Sequence, residues 1–540
     1  MRRRTFFTTV VLATASYLGC STSSSTGTGG GASTDGGTSG GDGSDGVDAG
    51  GDPGSDGGVV SSGASVLQRH KNASRDGLYI DPTMTKAAAK TIHRDVGFNA
   101  AIQGPVYAQP LYVEKGAGGK PTLYVVSEQD IIYALDAMTG AVIWQKTVGK
   151  PVAQSFFECA NIDPIGITGT PVIDITSRAI FFDAITTPDD GTTKKHMIFG
   201  MGLDDGSMRK GYPIDVEAKV KLTDGFTFDS GHFQQRAALI IMKNGVYVPY
   251  GGYAADCGNY TGTILGFQLE NPNEVHSWNV PGKLGGIWGP GGPSSDGSAL
   301  YTTTGNQDLV DVYYYGDSVL KLGAGPTFSK QTQDWFTPSN RKEMDAQDLE
   351  LGGTGPVLFE LPGNTPSKLL IAFAKNGNVY ILDRANFGGT GKGDGNTGEG
   401  LASMHVATNY IINAPAVYTT TQGTYAVFKG AGVGCPTGSS LTAIKITPNP
   451  LSIKIAWCAD HHGEGSPIVT STDGKSDAIV WAVGAEGSTK LHAFDGDTGI
   501  EIFDGGPDTF PAVARYQSPI VASGRIYWAS TDSVMAFTVK

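Results

Sequence analysis

Short apolar segments that alternate with turn residues run along most of the 540-residue chain. Residues 133–144 comprise a strand ending at Asp136, a turn through Gly140 and a second strand. Residues 491–503 repeat this pattern near the other end, with Asp495 in the place of Asp136. Short alternating strands separated by turns are typical of all-β proteins, and a repeated small β unit predicts a β-propeller.

A second recurring signal is a small or polar residue followed by Pro and then by β-branched residues. Pro suits the first residue of a strand because that residue need not donate to the sheet. One of the eight openings lacks its Pro, and the full set is Gln109-Pro110, Thr170-Pro171, Arg236-Ala237, Gly292-Pro293, Gly355-Pro356, Ala414-Pro415, Ser466-Pro467 and Ser518-Pro519. We therefore predict an eight-bladed propeller of four-stranded antiparallel blades over residues 66–540.

The last repeat is too short for a complete blade. Residues 518–539 supply about three strands before the chain ends. Residues 73–98 precede the first opening and are the segment available to supply the missing strand. We therefore predict that the N-terminal segment closes the ring in the last blade.

The first 20 residues have the pattern of a lipoprotein-type signal peptide. Arg2 to Arg4 form a basic start, residues 6–15 are largely apolar, and a small Gly precedes Cys20. We predict lipidation of Cys20 and, because Ser21 follows it, an outer-membrane lipoprotein that meets the membrane only through its anchor. Ordinary signal cleavage nearby is the alternative, and the choice between Sec and twin-arginine export stays open.

Residues 21–65 consist mainly of Gly, Ser, Thr and Asp. Such a segment cannot bury enough apolar surface to offset its ordering entropy, so we predict a disordered linker. The whole chain has 39 Lys and Arg against 52 Asp and Glu, a formal net charge of −13. That charge argues against a nucleic-acid-binding surface, which requires a basic patch.

Four cysteines follow the predicted signal peptide, and an exported protein encounters an oxidising compartment. We predict two disulfides, with Cys435–Cys458 inside one repeat and Cys159–Cys257 joining neighbouring repeats. Free buried thiols or a metal site are the alternatives.

The repeat at residues 133–144 resembles that of the pyrroloquinoline-quinone (PQQ) family of propellers. Residues 104–112, 166–174 and 285–288 resemble a group of secreted PQQ-like propeller proteins. The resemblance implies eight blades and makes PQQ and calcium in a central channel possible. The family also includes an outer-membrane barrel-assembly lipoprotein that has no cofactor, and the adjacent cysteine pair typical of the dehydrogenases is missing here.

Several residues beside the openings are candidates for binding a ligand in the channel. Trp288 could stack on a flat ring or simply fill the channel mouth. His461 and His462 could bind zinc or transfer protons, although their spacing fits no known zinc motif. A loop of carboxylate and amide residues at 306–317 could hold calcium, but a solvated loop is favoured. The complete candidate set is Gln109, Thr170, His232, Arg236, Trp288, His461 and His462.

Three functional hypotheses follow. The first is an exported, lipid-anchored module that binds an envelope protein or a small molecule, without a cofactor and as a monomer. The alternative is a quinoprotein dehydrogenase with PQQ and calcium in the channel. A third is a metal-assisted hydrolase or lyase that uses His461 and His462. The missing cysteine pair favours the first, but fold resemblance alone does not determine function.

Overall fold

The computed structural model describes residues 64–539, which form eight β-sheets arranged as the blades of a propeller. In each blade the strands run from the central channel outward and pair antiparallel with their neighbours. The fold class predicted from the repeats is confirmed. The predicted signal peptide, Cys20 and the linker up to residue 63 lie outside the described residues.

The strands of the first four blades, from the innermost outward, have the following bounds. Blade 1 contains Leu111–Val113, Thr122–Ser127, Ile131–Asp136 and Val142–Thr147. Blade 2 contains Val172–Asp174, Ala179–Thr186, Lys195–Gly202 and Ile214–Asp215. Blade 3 contains Ile240–Met242, Gly245–Gly252, Thr263–Gln268 and Asn271–Asn279, with Phe233–Gln234 paired to its second strand. Blade 4 contains Ser294–Ser295, Leu300–Thr303, Val319–Leu322 and Trp335–Thr337, with Gly389–Thr390 parallel at its outer edge.

The remaining blades follow the same plan. Blade 5 contains Val357–Glu360, Lys368–Phe373, Asn378–Asp383 and Ala402–His405. Blade 6 contains Ala416–Thr420, Gly423–Lys429, Leu441–Thr447 and Ser452–Ala459. Blade 7 contains Ile468–Ser471, Ile479–Val483, Leu491–Asp495 and Glu501–Phe503, and blade 8 contains Ile520–Ala522, Arg525–Ala529 and Ser533–Thr538. The helices are short: Lys86–Ala89, Val216–Lys219 and Arg341–Gln347, with 3-10 turns at Ala117–Gly119, Gln154–Phe156 and Thr332–Asp334.

The N-terminal segment supplies the outer edge of blade 8. His93–Arg94 and Ala100–Ala101 both pair antiparallel with Ser533–Thr538. The N-terminal residues therefore lie where a fourth strand belongs. That this pairing holds the ring closed stays a prediction.

The hydrophobic core lies between neighbouring blades. Trp144 of blade 1 is 9% exposed and packs in the cluster shared with blade 2. Its indole nitrogen donates to the carbonyl of Leu203 at 2.9 Å, and Trp457 makes the equivalent bond to Gly496 between blades 6 and 7. The repeat tryptophan therefore joins one blade to the next, as a structural rather than a functional residue.

The repeat aspartates fix the turns at the outer strands. The Asp136 carboxylate accepts from the backbone N–H groups of Met138 and Thr139 at 2.9 and 3.1 Å. Gly140 follows with a φ of 78°, which a residue with a side chain rarely adopts. Asp495 caps the matching turn of blade 7 in the same way. The conformation of these turns accounts for the most regular part of the sequence pattern.

Residues 66–81, here called the axial segment, lie inside the central channel. Together they contact the innermost strand region of every blade. The contacts are Val66 with Tyr112, Leu67 with Ile173, Arg75 with Leu239, Ala73 with Ser295, Ser74 with Leu358, Asp76 with Val417, Gly77 with Val469 and Asp81 with Gly524. One short segment can reach eight inner strands only from the axis, so it lies along the channel axis.

None of the helices within residues 64–539 has the length and apolar character needed to cross a bilayer.

Candidate functional site

A cavity of about 200 Å³, here called the axial pocket, lies at the end of the channel where loops lead into the innermost strands. Loops entering blades 3, 4, 5, 6 and 8 contribute to it, together with hairpin loops of blades 3 and 5. These blades are distributed around the ring, so a pocket to which all of them contribute lies on the propeller axis. It is lined by Arg236, Gly252 to Asp256, Tyr260, Trp288, Asp348, Glu350, Lys375, Ile412 and Tyr516.

Trp288 provides the flat wall of the pocket. Its indole nitrogen donates to the Glu350 carboxylate at 3.0 Å, which fixes the ring orientation. A Cβ placed on Gly353 would stand 3.3 Å from the ring, so a small residue there leaves room for the indole. The Arg236 guanidinium lies 5.8 Å from the ring centroid, within range of a cation–π contact.

Glu350 is a buried carboxyl beside this ring. It accepts hydrogen bonds from Trp288 and, at 3.2 Å, from the backbone N–H of Asn306. A Cβ on Gly305 would lie 2.1 Å from a Glu350 oxygen, so only glycine permits this approach. Burial raises the pKa of Glu350 to about 7, although Lys375 opposes the shift. A carboxyl with such a pKa can take up or release a proton near neutral pH.

Lys375 is the cation paired with the pocket carboxylates. Its ammonium lies 2.8 Å from Asp348 and 3.6 Å from Glu350, and 5.4 Å from the Tyr410 ring centroid. Burial lowers its pKa, but the two carboxylates raise it by more, so the net pKa lies above the usual value. Lys375 therefore stays charged and is held at the pocket wall.

Gln109 and Thr170 lie beneath the pocket and hold the axial segment. The Gln109 side-chain oxygen accepts from the backbone N–H of His70 at 3.1 Å. The Thr170 hydroxyl oxygen accepts from the Gln109 backbone at 3.0 Å and from Arg69 at 3.4 Å. Both side chains are buried, and each forms its hydrogen bonds with other residues of this protein.

The predicted histidines do not line the axial pocket. His461 is buried, its ring bonds the Ser440 hydroxyl at 3.0 Å, and burial lowers its pKa to about 3. His462 is exposed and pairs with Asp460 at 2.9 Å, and His232 pairs with Asp229 at the same distance. Of the seven candidates, the structure brings only Arg236 and Trp288 together at the pocket.

A metal-ligating group is not formed by the described side chains. Within residues 64–539, no cluster of three or more His, Cys, Asp or Glu is placed to hold a metal ion. Polar side chains of the 306–317 loop instead bond to the protein itself: the Gln307 amide donates to the carbonyl of Leu309, and Asp317 accepts from the backbone N–H of Leu351. The structure thus gives no support to the metal-assisted hydrolase hypothesis.

Both predicted disulfides are present. Cys159–Cys257 ties the blade 3 hairpin loop, which lines the pocket through Tyr253 to Asp256, to the loop before blade 2. Cys435–Cys458 lies within blade 6 and its adjoining loop. The first disulfide therefore anchors one wall of the axial pocket.

Sequence reasoning missed Glu350 and Lys375. Glu350 precedes a Gly-rich run before the fifth opening, just as Trp288 lies in a Gly-rich run before the fourth. That shared position was the available signal for Glu350. Lys375 follows the second strand of its blade, and its nearness to the axis depends on the folded ring.

A comparison of the sequence with protein-family models and with curated proteins gives no match. Solved structures with a similar fold include a quinohemoprotein alcohol dehydrogenase, ADHIIG, from Pseudomonas putida HK5, at 14% identity and a TM-score of 0.60 over 88% of this chain and 80% of that one. A second quinohemoprotein alcohol dehydrogenase, from Comamonas testosteroni, gives 15% identity and a TM-score of 0.57 over 88% and 80%.

A europium-containing methanol dehydrogenase gives 14% identity and a TM-score of 0.54 over 87% of this chain and 90% of that one. At such identities the likeness shows a shared eight-bladed fold. The activities named for these enzymes do not transfer to this chain through the fold alone.

Proposed function

We propose that this protein is an exported, lipid-anchored propeller that binds a planar organic molecule in the axial pocket, at the cell envelope. One observation carries the proposal: the Trp288 ring, the Arg236 guanidinium and the Glu350–Lys375 pair face one cavity on the axis. An aromatic wall with a few fixed polar groups is the usual composition of a small-molecule site. Binding of a small molecule is thereby favoured over a purely structural channel.

The envelope location rests on sequence features and on the disulfides. Cys20 follows a basic and then apolar start of the chain. Two disulfides are consistent with an oxidising compartment outside the cytosol. The Cys20→Ser variant should lose labelling by a fatty-acid analogue and leave the membrane fraction. Equal labelling of wild type and variant would contradict lipidation at this residue.

A quinoprotein dehydrogenase is the second candidate, and the pKa of Glu350 favours it. PQQ is a planar quinone with three carboxylates, and when bound it supplies two-electron oxidation of a substrate. Trp288 would lie against its ring, and Arg236 and Lys375 would bind its oxygens. Glu350, with a pKa of about 7, could accept the proton of a substrate hydroxyl.

Calcium fits this pocket less well than the quinone does. The Glu350 oxygen that accepts from Trp288 also accepts from the Asn306 backbone. Asp348 is paired with Lys375, and Asp256 accepts from the Tyr260 hydroxyl. The carboxylates of the pocket therefore have partners already, whereas calcium needs six to eight oxygen ligands.

Calorimetry with PQQ, flavin mononucleotide and menadione tests the proposal. We expect saturable binding of at least one of them, weakened ~10-fold or more by Trp288→Leu because stacking is lost. Trp278→Leu is the matched control, since Trp278 packs on Phe328 away from the pocket. If none of the three compounds binds wild type, the proposed function is wrong.

Dye reduction separates the two candidates. PQQ with and without calcium is added to the protein, followed by alcohols and sugars in turn. A saturable reduction rate that Glu350→Gln abolishes would establish the dehydrogenase. Binding of PQQ without any reduction would leave the binding module as the function.

A further inference from the structure

Three side chains of blade 7 form a hydrogen-bonded row that the proposed function does not use. His492 lies on the third strand of the blade, Leu491–Asp495. The Ser488 hydroxyl oxygen lies 3.0 Å from Nε2 of this ring, and a Glu501 carboxylate oxygen lies 3.1 Å from its Nδ1. One histidine held between a serine and a carboxylate is the arrangement of a Ser–His–acid triad.

The three residues depart together from the propeller repeat. When the two repeats are aligned on the turn aspartates Asp136 and Asp495, the matching positions of blade 1 are Gln129, Tyr133 and Val142. Tyr133 is buried there, so a blade folds without a serine, a histidine and a glutamate at these positions. Building the blade therefore does not account for the presence of all three in blade 7.

The secondary structure of blade 7 positions the three side chains. Ser488 lies in the hairpin between the second and third strands, and His492 follows on the third strand. Glu501 begins the fourth strand, Glu501–Phe503, which pairs antiparallel with the third. A Cβ on Gly484 would stand 2.0 Å from the Ser488 oxygen, so this glycine leaves room for the hydroxyl. Two adjacent strands and one hairpin thus hold the groups in a row.

His492 has the protonation state that a general base needs. The residue is 3% exposed, and burial lowers its pKa, although Glu501 opposes the shift. The His462 ring lies 5.3 Å away and lowers the pKa of His492 further. His492 is therefore neutral at neutral pH. Its partners fit an Nδ1–H that donates to Glu501 and an Nε2 that accepts from Ser488.

The serine of this row lies at the protein surface. Ser488 is partly exposed, its neighbour Gly487 is exposed, and the Glu501 side chain is 42% exposed. The Lys490 backbone N–H donates to the Ser488 oxygen at 3.3 Å. A small substrate can therefore approach Ser488 from the hairpin, and the Lys490 donor stabilises negative charge that develops on the serine oxygen.

A second serine–histidine contact in the protein differs from this one. The Ser440 hydroxyl lies 3.0 Å from Nδ1 of His461, but it also donates to Asp460 at 2.6 Å. Burial lowers the pKa of His461 to about 3. Its Nε2 has no partner among the described residues, so no carboxylate orients this ring. Ser440 therefore provides a matched control for Ser488.

We propose that Ser488, His492 and Glu501 form a Ser–His–Glu triad that hydrolyses a small ester, at a site separate from the axial pocket. None of the three is among the described residues that line that pocket. The activity therefore goes beyond the proposed function and does not depend on it.

The reaction proceeds in two acyl-transfer steps. The Ser488 oxygen attacks the ester carbonyl while His492 takes the serine proton, and that proton then leaves with the alcohol as the ester bond breaks. Water next attacks the acyl–serine bond while His492 takes a proton from it. The carboxylic acid leaves, and His492 returns the proton to Ser488. Glu501 is a positioning residue, because it orients the His492 ring without touching the substrate.

A fluorophosphonate probe tests whether Ser488 is activated. Wild type should form an adduct, located on Ser488 by mass spectrometry, because the activated hydroxyl displaces fluoride from phosphorus. Ser488→Ala should lose the adduct, and Ser440→Ala should keep it. Wild-type protein without an adduct on Ser488 would overturn the triad.

Hydrolysis of p-nitrophenyl acetate measures turnover. Wild type should hydrolyse this ester ~10-fold or more faster than Ser488→Ala. Glu501→Gln should lower kcat ~10-fold or more while KM and the thermal unfolding midpoint stay unchanged, whereas a merely structural role would move the midpoint. Both substitutions alter partly exposed side chains. Equal rates for wild type and Ser488→Ala would overturn the proposal, whatever binds in the axial pocket.

Discussion

The two ends of the central channel are built by the same eight repeats, yet the axial segment occupies the axis at one end only. A cavity of about 300 Å³ remains beside the segment at that filled end, towards blades 4 to 6. The axial segment occupies one end and contacts the inner strands of all eight blades. At the other end the loops before the inner strands surround a cavity of about 200 Å³. The difference arises outside the repeats, because a segment preceding them enters the ring from one side.

Hydrogen bonding differs between the two axial arginines. The Arg75 guanidinium donates to three backbone carbonyls, whereas the Arg69 Nε–H has no partner in the structure. Buried polar atoms without a partner occur at both ends, on His70, Asn72 and Tyr79 of the axial segment and on Arg236 and Gln517 at the open end. The two ends therefore differ in what occupies the axis and not in how completely their polar groups are bonded.

The largest expected effect is at the filled end. A chain that begins at Pro82 lacks the axial segment and should lose ~5 kcal/mol or more of unfolding free energy, since several buried hydrogen bonds disappear together. The midpoint of urea unfolding measures this. A chain that begins at Ala64 is the matched control because it keeps all the contacts described above. Equal midpoints would contradict the structural role of the segment.

The next effect concerns the disulfide beside the pocket. Its loop of 98 residues predicts a loss of ~4–5 kcal/mol on replacing Cys159 and Cys257 by Ser, against ~3 kcal/mol for the 23-residue loop of Cys435 and Cys458. Thermal unfolding of both double variants checks the order. We also expect weaker ligand binding in the first variant only, because its loop lines the pocket. The reverse order of stability would contradict the chain-entropy argument.

A smaller effect separates the two axial arginines. Arg75→Met should cost ~3 kcal/mol because three backbone carbonyls lose their donor. Arg69→Met should cost only ~1 kcal/mol because the Tyr516 carbonyl, which loses Arg69, still accepts from the Ser466 hydroxyl. Urea unfolding at neutral pH measures both. Equal losses would mean that the two arginines do not differ in this way.

The smallest effect is the pH dependence introduced by Glu350. Its pKa in the folded protein, about 7, lies above the ordinary 4.5, so folding favours the protonated form and stability falls as the pH rises between these values. Glu350→Gln should therefore gain ~2 kcal/mol relative to wild type between pH 5 and pH 8. Thermal unfolding across this range tests it. Parallel pH profiles of wild type and variant would contradict the raised pKa of Glu350.

Much of the fold could be predicted because it depends on local patterns. The eight openings, the turn aspartates Asp136 and Asp495, and the tryptophan between blades each follow from residues close in sequence. Arg236 and Trp288 were identified because they lie beside openings, which the propeller geometry directs to the axis. The partners of both disulfides followed from their places in the repeats.

The sequence by itself determined the repeating unit, the number of blades and the loops that meet on the axis, since strand and turn formation depend on neighbouring residues. Only the tertiary structure decided which end of the channel is filled, because Arg69 and Ser466 bond across 397 positions of the chain without any periodic signal. The same holds for Glu350 and Lys375, whose pairing and pKa values depend on burial that arises only when the ring is complete.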